Sequence, residues 1–462
     1  MISQPIKYFE TDGIRGKYGE EPITDAFARR LGFIFGRMVC REFSGENRIL
    51  VGRDTRISGA SLESAIAQGL SDAGLRVGLL GIISTPALAH FTKEWDAIGG
   101  VMISASHNLF EDNGFKIFSV NGEKISGDLE RAIEQDLSDS VNSMGVGSGK
   151  PIDYHSADWR EQYVDSCLEG IGPRFNLNCL KIVVDCANGA TFKIAPEILR
   201  RCGAEVFAIG NNPNGYNINS HVGSTNPATL LKTVIDTKSD IGVAFDGDGD
   251  RVVMIDEQGS LLDGDDILFV LAQYYLRTGR LNGGVVGTQM SNLGLERSLL
   301  DLGLQFDRVS VGDRFVMEKL KERGWVLGGE PSGHIICRDA AVGGDGLVTC
   351  LQVLRNMTTE GARLCDLREG LVKFPQTTIN VPVKDKFSVL NNSGLSEAVS
   401  KAKRSLGTTG RLLVRASGTE AMIRVMVEGQ DQNTIESIAR SVADEVRNVT
   451  ATNRLRSREG AR

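Results

Sequence analysis

Three aspartates alternate with two glycines in Asp246-Gly-Asp248-Gly-Asp250, directly after the apolar run 241–245. Carboxylates this close repel one another, and a bound cation is what makes such a cluster tolerable. The glycines let the backbone fold tightly around an ion. An EF-hand loop is the obvious rival, but it needs glycine at its sixth position; here that is Arg251, and an apolar strand over 252–255 follows. The pattern predicts a divalent-cation site, with Mg²⁺ favoured because it takes few carboxylates plus a phosphate oxygen. The plain alternative is a solvated acidic turn.

Ser106-His107-Asn108 follows the apolar run 100–103. A serine at a strand end is a candidate nucleophile. A hydrolase triad does not fit: there is no GxSxG elbow, and His107, adjacent in sequence, is badly placed as a base for Ser106. Taken alone, the serine reads as a loop or cap residue. Downstream, Asn113-Gly114 predicts a tight turn that would bring Lys116 back toward Ser106.

Two further loops carry polar groups. Glu330-Pro331-Ser332-Gly333-His334 offers acceptors and donors that match vicinal hydroxyls, though such a loop can equally be a simple turn. Arg415-Ala-Ser417-Gly418-Thr419-Glu420, with Arg424 beyond, has the forks, hydroxyls and accessible backbone of a phosphate cradle; its bland reading is a hairpin turn. Gly147-Ser-Gly-Lys150 is not a P-loop, because the first glycine is misplaced and Pro151 follows.

The elements that must position these loops repeat. A strand over 49–54, a helix over 60–72, Gly74 and a strand over 76–80 form one copy. Strand 182–188, helix 194–201, Gly203 and strand 205–209 form a second. Strand 285–291, helix 293–302, Gly303 and strand 306–311 form a third. Each is a βαβ unit with parallel strands. After residue 370 the pattern changes to strands 378–383, 411–415 and 423–428 with helices 394–406 and 435–449. The fold class is therefore α/β: three similar mixed α/β domains, 1–152, 153–255 and 256–370, plus a fourth α+β domain, 371–462.

With 462 residues, the chain is long enough for about three to four domains of 100–200 residues. Its 41% hydrophobic fraction excludes disorder as the main state. A net charge of −7 argues against nucleic-acid binding through a broad basic face. The polar start, 1–16, and the interrupted apolar run 77–91 predict neither an export signal nor a membrane span. The eight cysteines form no CxxC and predict buried, reduced thiols in a cytoplasmic protein.

Taken together and in this order, the four loops resemble those of the α-D-phosphohexomutase superfamily, as does Thr11-Asp-Gly-Ile-Arg15-Gly16. The resemblance spans nearly the whole chain. It implies four domains around a central cleft, a phosphoserine at Ser106, and Mg²⁺ held by Asp246, Asp248, Asp250 and that phosphoserine. Arg15, His107 and Arg251 would flank Ser106, and Lys116 would assist proton transfer. Glu330, Ser332 and His334 would face the sugar. Arg415, Ser417, Gly418, Thr419 and Arg424 would hold the phosphate that does not react.

The length, Val311-Gly-Asp-Arg314 and Ser-Gly-Thr-Glu are most similar to members that interconvert glucosamine 6-phosphate and glucosamine 1-phosphate for UDP-N-acetylglucosamine synthesis, with a hexosamine 1,6-bisphosphate as intermediate and activator. The alternative on the same scaffold is a phosphomannomutase/phosphoglucomutase. The implied partner is a small sugar phosphate, with no nucleic acid and no membrane; a homodimer is left open. Four positions depart from the family pattern: Glu10, Leu109 and Ala421 replace a glycine and two prolines, and Pro331 stands where glutamine is usual in the glucosamine enzymes. A silent sugar-phosphate sensor would be expected to lose Ser106, Lys116 or one of the aspartates, and all are present.

Overall fold

The computed structural model describes residues 7–10, 12–42, 47–139, 152–154, 159–172, 175–417 and 421–459. The chain divides into two compact units, Met1–Met290 with Leu304–Glu369, and Ser291–Gly303 with Gly370–Arg462.

The first unit holds three sheets. Strands β1 (Phe9–Glu10), β2 (Gly13–Lys17), β3 (Arg48–Arg53), β4 (Arg76–Ile82), β5 (Gly99–Ile103), β6 (Asp112–Ser119) and β7 (Ile152–Tyr154) form the first, in the order β1-β2-β6-β5-β3-β4-β7. Strands β3, β4 and β5 run parallel, as the repeat predicts, whereas β6 returns antiparallel beside β5. That return carries the serine loop. Helices Asp25–Glu42 and Gly59–Asp72 pack together over this sheet; their Phe27, Leu31, Phe35, Leu62, Ile66 and Leu70 meet Ile49 and Val51 in one core.

Strands β8 (Lys181–Asp185), β9 (Glu205–Ile209), β10 (Ile241–Phe245), β11 (Val252–Asp256) and β12 (Leu261–Leu262) form the second sheet, ordered β12-β11-β10-β8-β9. Strand β10 pairs parallel to β8 and antiparallel to β11, so the aspartate loop joins two neighbouring strands. Strands β13 (Gly284–Thr288), β14 (Gln305–Val309), β15 (Leu327–Gly329) and β16 (Ile335–Cys337) form the third, ordered β14-β13-β15-β16. Strands β10 and β13 are buried throughout and read as continuous apolar or small-residue runs, as two-sided burial requires. The third repeat's strands are shorter than expected: β13 stops at Thr288 and β14 at Val309, before Gly312 (φ 130°) leads into helix Asp313–Arg323.

The second unit is built on strands β17 (Gln376–Pro382), β18 (Gly410–Ala416) and β19 (Met422–Gly429), antiparallel in the order β17-β19-β18. Helix Ser393–Leu406 and helix Gln432–Glu459 pack on it through Leu395, Leu406, Ile435, Ala439, Val442 and Val446. The last helix outruns the expected 435–449. The apolar stripe ends at Val449, and the polar continuation is rich in good helix formers.

All eight cysteines are unpaired. Five are buried, but Cys179 is exposed, so the expectation of buried thiols fails there. Among the described residues no helix is long and apolar enough to cross a membrane.

Candidate active site

The serine loop connects β5 to β6, whose antiparallel register sets Met102 opposite Lys116. The chain reversal lies between Ile103 and Asp112. The turn expected at Asn113-Gly114 does not exist: both residues are inside β6, and the buried Asn113 amide donates to Ser58 Oγ at 2.9 Å. Ser106 is fully buried with φ 51°, a left-handed conformation that side chains other than those of glycine, asparagine and aspartate rarely take.

Arg56 and Asn219 hold that conformation in place. Arg56 is 1% exposed. Its Nη2 donates to the carbonyls of Ser106 (3.0 Å) and Asn108 (2.8 Å), and its Nη1 to those of Asp112 (3.0 Å) and Leu109. Its Nε meets Asp54 Oδ2 at 2.8 Å. Asn219 Nδ2 donates to the Ser106 and Asn108 carbonyls, both at 2.8 Å. Neither residue stood out in the sequence. The available signal was the charged run Arg53-Asp54-Thr-Arg56 at the end of an apolar strand.

Ser106 Oγ donates to Asp246 Oδ2 at 2.6 Å and lies 3.3 Å from His107 Nδ1. Asp246, Asp248 and Asp250 are buried, and one carboxylate oxygen from each falls within 4.8 Å of the others. Gly249 N and Arg251 N donate to Asp246 Oδ1 at 3.1 and 3.2 Å. Burial, with the charges of Asp250 and Asp248, pushes the Asp246 carboxyl well above the usual range. Asp250 is held well below it: burial works against the anion, but Lys116 and His334 outweigh it. Asp248 Oδ1 and Asp250 Oδ1 are buried and accept no hydrogen bond. Orphaned anionic oxygens this close together are the donor set of a hard cation, so the residues fit a divalent ion.

The backbones of three loops touch here. A Cβ on Gly247 would come within 2.5 Å of the Ser106 carbonyl oxygen, and a Cβ on Gly189 within 2.3 Å of the Gly247 carbonyl oxygen. Only glycine lets the metal loop lie flat between its neighbours.

Lys116, expected to come back toward Ser106, sets its Nζ 2.8 Å from Asp248 Oδ2, 2.7 Å from Asp250 Oδ2 and 3.4 Å from Asp12 Oδ2. Burial disfavours the cation, yet the three carboxylates hold its pKa well above the ordinary lysine value. Arg251 Nε lies 3.9 Å from Asp250 Oδ1, and Arg15 pairs with Asp12. Burial, reinforced by Arg251 and Arg15, lowers His107 to about 4, so its imidazole is neutral near pH 7.

The Glu330–His334 segment closes the hairpin between β15 and β16. Its Gly333 carbonyl accepts from Val252 N at 3.1 Å, which ties it to the strand after the aspartates. Glu330 Oε1 accepts from Gly312 N at 3.0 Å, and burial raises the carboxyl above its usual value. His334 is buried between two carboxylates, Nδ1 3.7 Å from Asp250 Oδ1 and Nε2 3.6 Å from Asp313 Oδ2. Burial opposes its charge, but Asp250 and Asp313 raise it to about 9. Ser332 is exposed.

In the second unit, Arg415 and Arg424 lie directly opposite one another on β18 and β19. Burial and the Arg424 charge lower the Arg415 pKa. Ser417 is buried; its amide donates to the Met422 carbonyl at 2.9 Å, and its carbonyl accepts from Lys386 Nζ at 2.8 Å. Gly418 and Thr419 lie outside the described residues.

Comparison with known proteins gives a consistent result. Four descriptions match in order: Phosphoglucomutase/phosphomannomutase alpha/beta/alpha domain I over residues 6–143, domain II over 161–259, domain III over 263–374 and the C-terminal domain over 379–445. The chain is 48% identical to the phosphoglucosamine mutase of Aeromonas salmonicida over 95% of its own length and 98% of the relative's. It is 48% identical to that of a Marinomonas species, over 96% and 98%. A phosphoglucomutase/phosphomannomutase family protein from Burkholderia thailandensis shares the fold at TM-score 0.79 and 24% identity, over 96% of this chain and 98% of that one. An Aspergillus fumigatus N-acetylphosphoglucosamine mutase, solved with GlcNAc-6P and magnesium, does so at TM-score 0.67 and 17% identity, over 96% of each chain.

Proposed function

The chain belongs to the phosphoglucomutase/phosphomannomutase family, and from that premise we propose that it interconverts glucosamine 6-phosphate and glucosamine 1-phosphate. The observation that carries the chemistry is Ser106 Oγ, 2.6 Å from a buried aspartate whose neighbours keep orphaned anionic oxygens. The relatives named phosphoglucosamine mutase carry the choice of sugar.

On this reading Ser106 holds a phosphoryl group, gives it to one end of the sugar phosphate and recovers it from the other, through a hexosamine 1,6-bisphosphate. Each transfer forms one P–O bond and breaks one, so the phosphoserine is regenerated. Mg²⁺ on Asp246, Asp248, Asp250 and the phosphoserine would offset charge on the transferring group. Arg251 and Arg15 add fixed positive charge beside Ser106. Neutral His107 is a hydrogen-bond partner of Ser106 Oγ, not a source of charge. Lys116 would assist proton transfer at the sugar hydroxyl; to take up that proton it must first give up its own, which the carboxylates around it oppose while they hold it. It now holds Asp248 and Asp250 through their Oδ2 atoms, so ion binding at the same carboxylates and release of Lys116 are linked by charge.

Glu330 and Ser332 meet sugar hydroxyls, with His334 behind them. Arg415, Ser417, Gly418, Thr419 and Arg424 hold the non-reacting phosphate. The loops belong to domains 1–152, 153–255, 256–370 and 371–462; β7 and β12 carry the first and second sheets slightly past the first two boundaries.

The test is a coupled assay of the purified protein with Mg²⁺ and a trace of hexosamine 1,6-bisphosphate. Glucosamine 1-phosphate, glucose 1-phosphate and mannose 1-phosphate are compared side by side. The glucosamine compound is expected to have a kcat/KM at least about tenfold higher, because a site built for a polar group penalises analogues lacking it. Equal or better use of glucose or mannose would transfer the assignment to the phosphomannomutase/phosphoglucomutase reading.

A further inference from the structure

Lys124 is named in none of the four loops, yet it closes a circuit of charge. Its Nζ pairs with Asp12 and lies 2.7 Å from Asp313 Oδ2. Asp12 Oδ2 is 3.4 Å from Lys116 Nζ, and Lys116 is 2.7 Å from Asp250 Oδ2. Asp250 faces His334, and His334 faces Asp313. Cation and anion therefore alternate around a six-membered ring: Lys116, Asp12, Lys124, Asp313, His334, Asp250. Segments around all three sheets of the first unit contribute: Asp12 lies between β1 and β2, Lys116 in β6 and Lys124 just after it, Asp250 in the loop between β10 and β11, Asp313 at the start of helix Asp313–Arg323, and His334 in the β15–β16 hairpin.

We infer that Lys124 is a positioning residue that fixes Lys116 through Asp12 and the Glu330–His334 loop through Asp313. The inference rests on the proposed mutase chemistry. Within the ring, Lys124 is the one cation that touches neither the aspartate triad nor the serine loop. It lines a cavity of about 460 Å³, together with Asp250, Asp313 and His334. Its effect on the reaction is therefore indirect. Deleting its charge leaves Asp12 and Asp313 facing each other with no cation between them. Like charges that close repel, so Asp12 would swing further onto Lys116 and Arg15. Lys116 would then be drawn from its place between Asp248 and Asp250. Small displacements of an acid–base group are expensive in rate even when binding survives.

The test uses the full chain and three variants: Lys124→Met, Asp313→Asn and the pair together. Lys124→Met should lower kcat about thirtyfold while moving KM for the sugar phosphate less than about threefold, the split expected of a group acting through the proton-transfer residue. The double variant removes the carboxylate that lost its cation and should recover at least a third of that loss. A purely structural role would instead lower activity and melting temperature together, and the double variant would fare no better. Wild-type kcat in Lys124→Met, or no recovery in the double variant, overturns the inference. If Lys124→Met does not fold, Asp313→Asn decides: it should raise KM about tenfold with Ser106 phosphorylation intact, and an unchanged KM overturns the inference. A wild-type protein inactive on all three sugar phosphates removes the mutase reading and this inference with it; an active wild type with indifferent variants removes only the inference.

Discussion

The aspartate site of the first unit and the arginine pair of the second handle charge in opposite ways. Around Asp246, Asp248 and Asp250 the protein supplies its own counter-charges, Lys116, Arg251 and His334, within 4 Å. On β18 and β19, Arg415 and Arg424 stand side by side, and burial with the Arg424 charge raises the cost of charging Arg415. Like charges directly opposite on neighbouring strands are destabilising, by a few tenths of a kcal/mol up to about 1. The first region is largely balanced from within and keeps Asp248 Oδ1 and Asp250 Oδ1 without a hydrogen bond, so an ion that binds there competes with the internal cations. The second sets two like charges directly opposite one another, an arrangement a phosphate would favour. Chemistry and grip thus have different electrostatic starting points: exchange in one, capture in the other.

This contrast predicts a ranking of effects. Ser106→Ala should be the most damaging, with a loss of about 10⁴-fold or more in kcat, since no other group can carry the phosphoryl. Intact-protein mass spectrometry should find one phosphate on a fraction of wild-type molecules and none on the variant. Next comes the ion. Excess EDTA should abolish turnover and Mg²⁺ restore it, and Asp248→Asn should lower kcat by about 10². Full activity in EDTA would mean that the internal cations suffice, and the exchange half of the comparison would fall.

Capture should be graded. Arg415→Lys keeps the charge but loses the planar fork. A cost of about 1.5–3 kcal/mol in kcat/KM is expected, roughly ten- to a hundredfold, with Ser106 phosphorylation untouched. A loss as deep as that of Ser106→Ala would erase the distinction between grip and chemistry.

The smallest effect is on stability. His107 titrates at about 4 when folded, against 6.5 as a free side chain. Between those values the unfolded chain binds the proton and the folded chain does not, so stability falls as pH drops from about 6.5 to 4. His107→Gln should flatten that acid limb in thermal melts; an unchanged slope would place the neutral imidazole elsewhere.

How much of this was legible follows from how far apart the partners sit in the chain. The aspartate cluster could be read directly, because its three ligands and two glycines fall within five residues and their mutual repulsion is a local fact. The βαβ repeats were equally readable, since strand and helix periods are local too. Arg56 was not: its acceptors lie about fifty residues on, and only the fold brings them there. Lys124 reaches Asp12 across 112 positions and Asp313 at the start of helix Asp313–Arg323, so its sequence neighbourhood says nothing of its role. Asn113-Gly114 misled because turn propensity gave way to tertiary packing: the sheet absorbed the pair, and the asparagine found a buried partner in Ser58. The helix Leu293–Asp301 shows the same limit. Its pattern marks it as part of the third repeat, yet it clusters with the C-terminal unit.

The stacked glycines at 189 and 247 have a mechanical consequence. Ser106, Gly247 and Gly189 approach one another backbone to backbone, with the Asn219 and Ile218 side chains packed against Gly247 at the same junction. The gap between nucleophile and carboxylates is thus set by hard contact, like a shim between two plates. The nearest contacts, Ser106 to Gly247 and Gly247 to Gly189, are backbone atoms, so side-chain motion has little to act on there. The 2.6 Å reach from Ser106 to Asp246 should therefore stay constant over the range in which the fold survives, and a substitution as small as Gly247→Ala should shift the whole serine loop, not one atom of it.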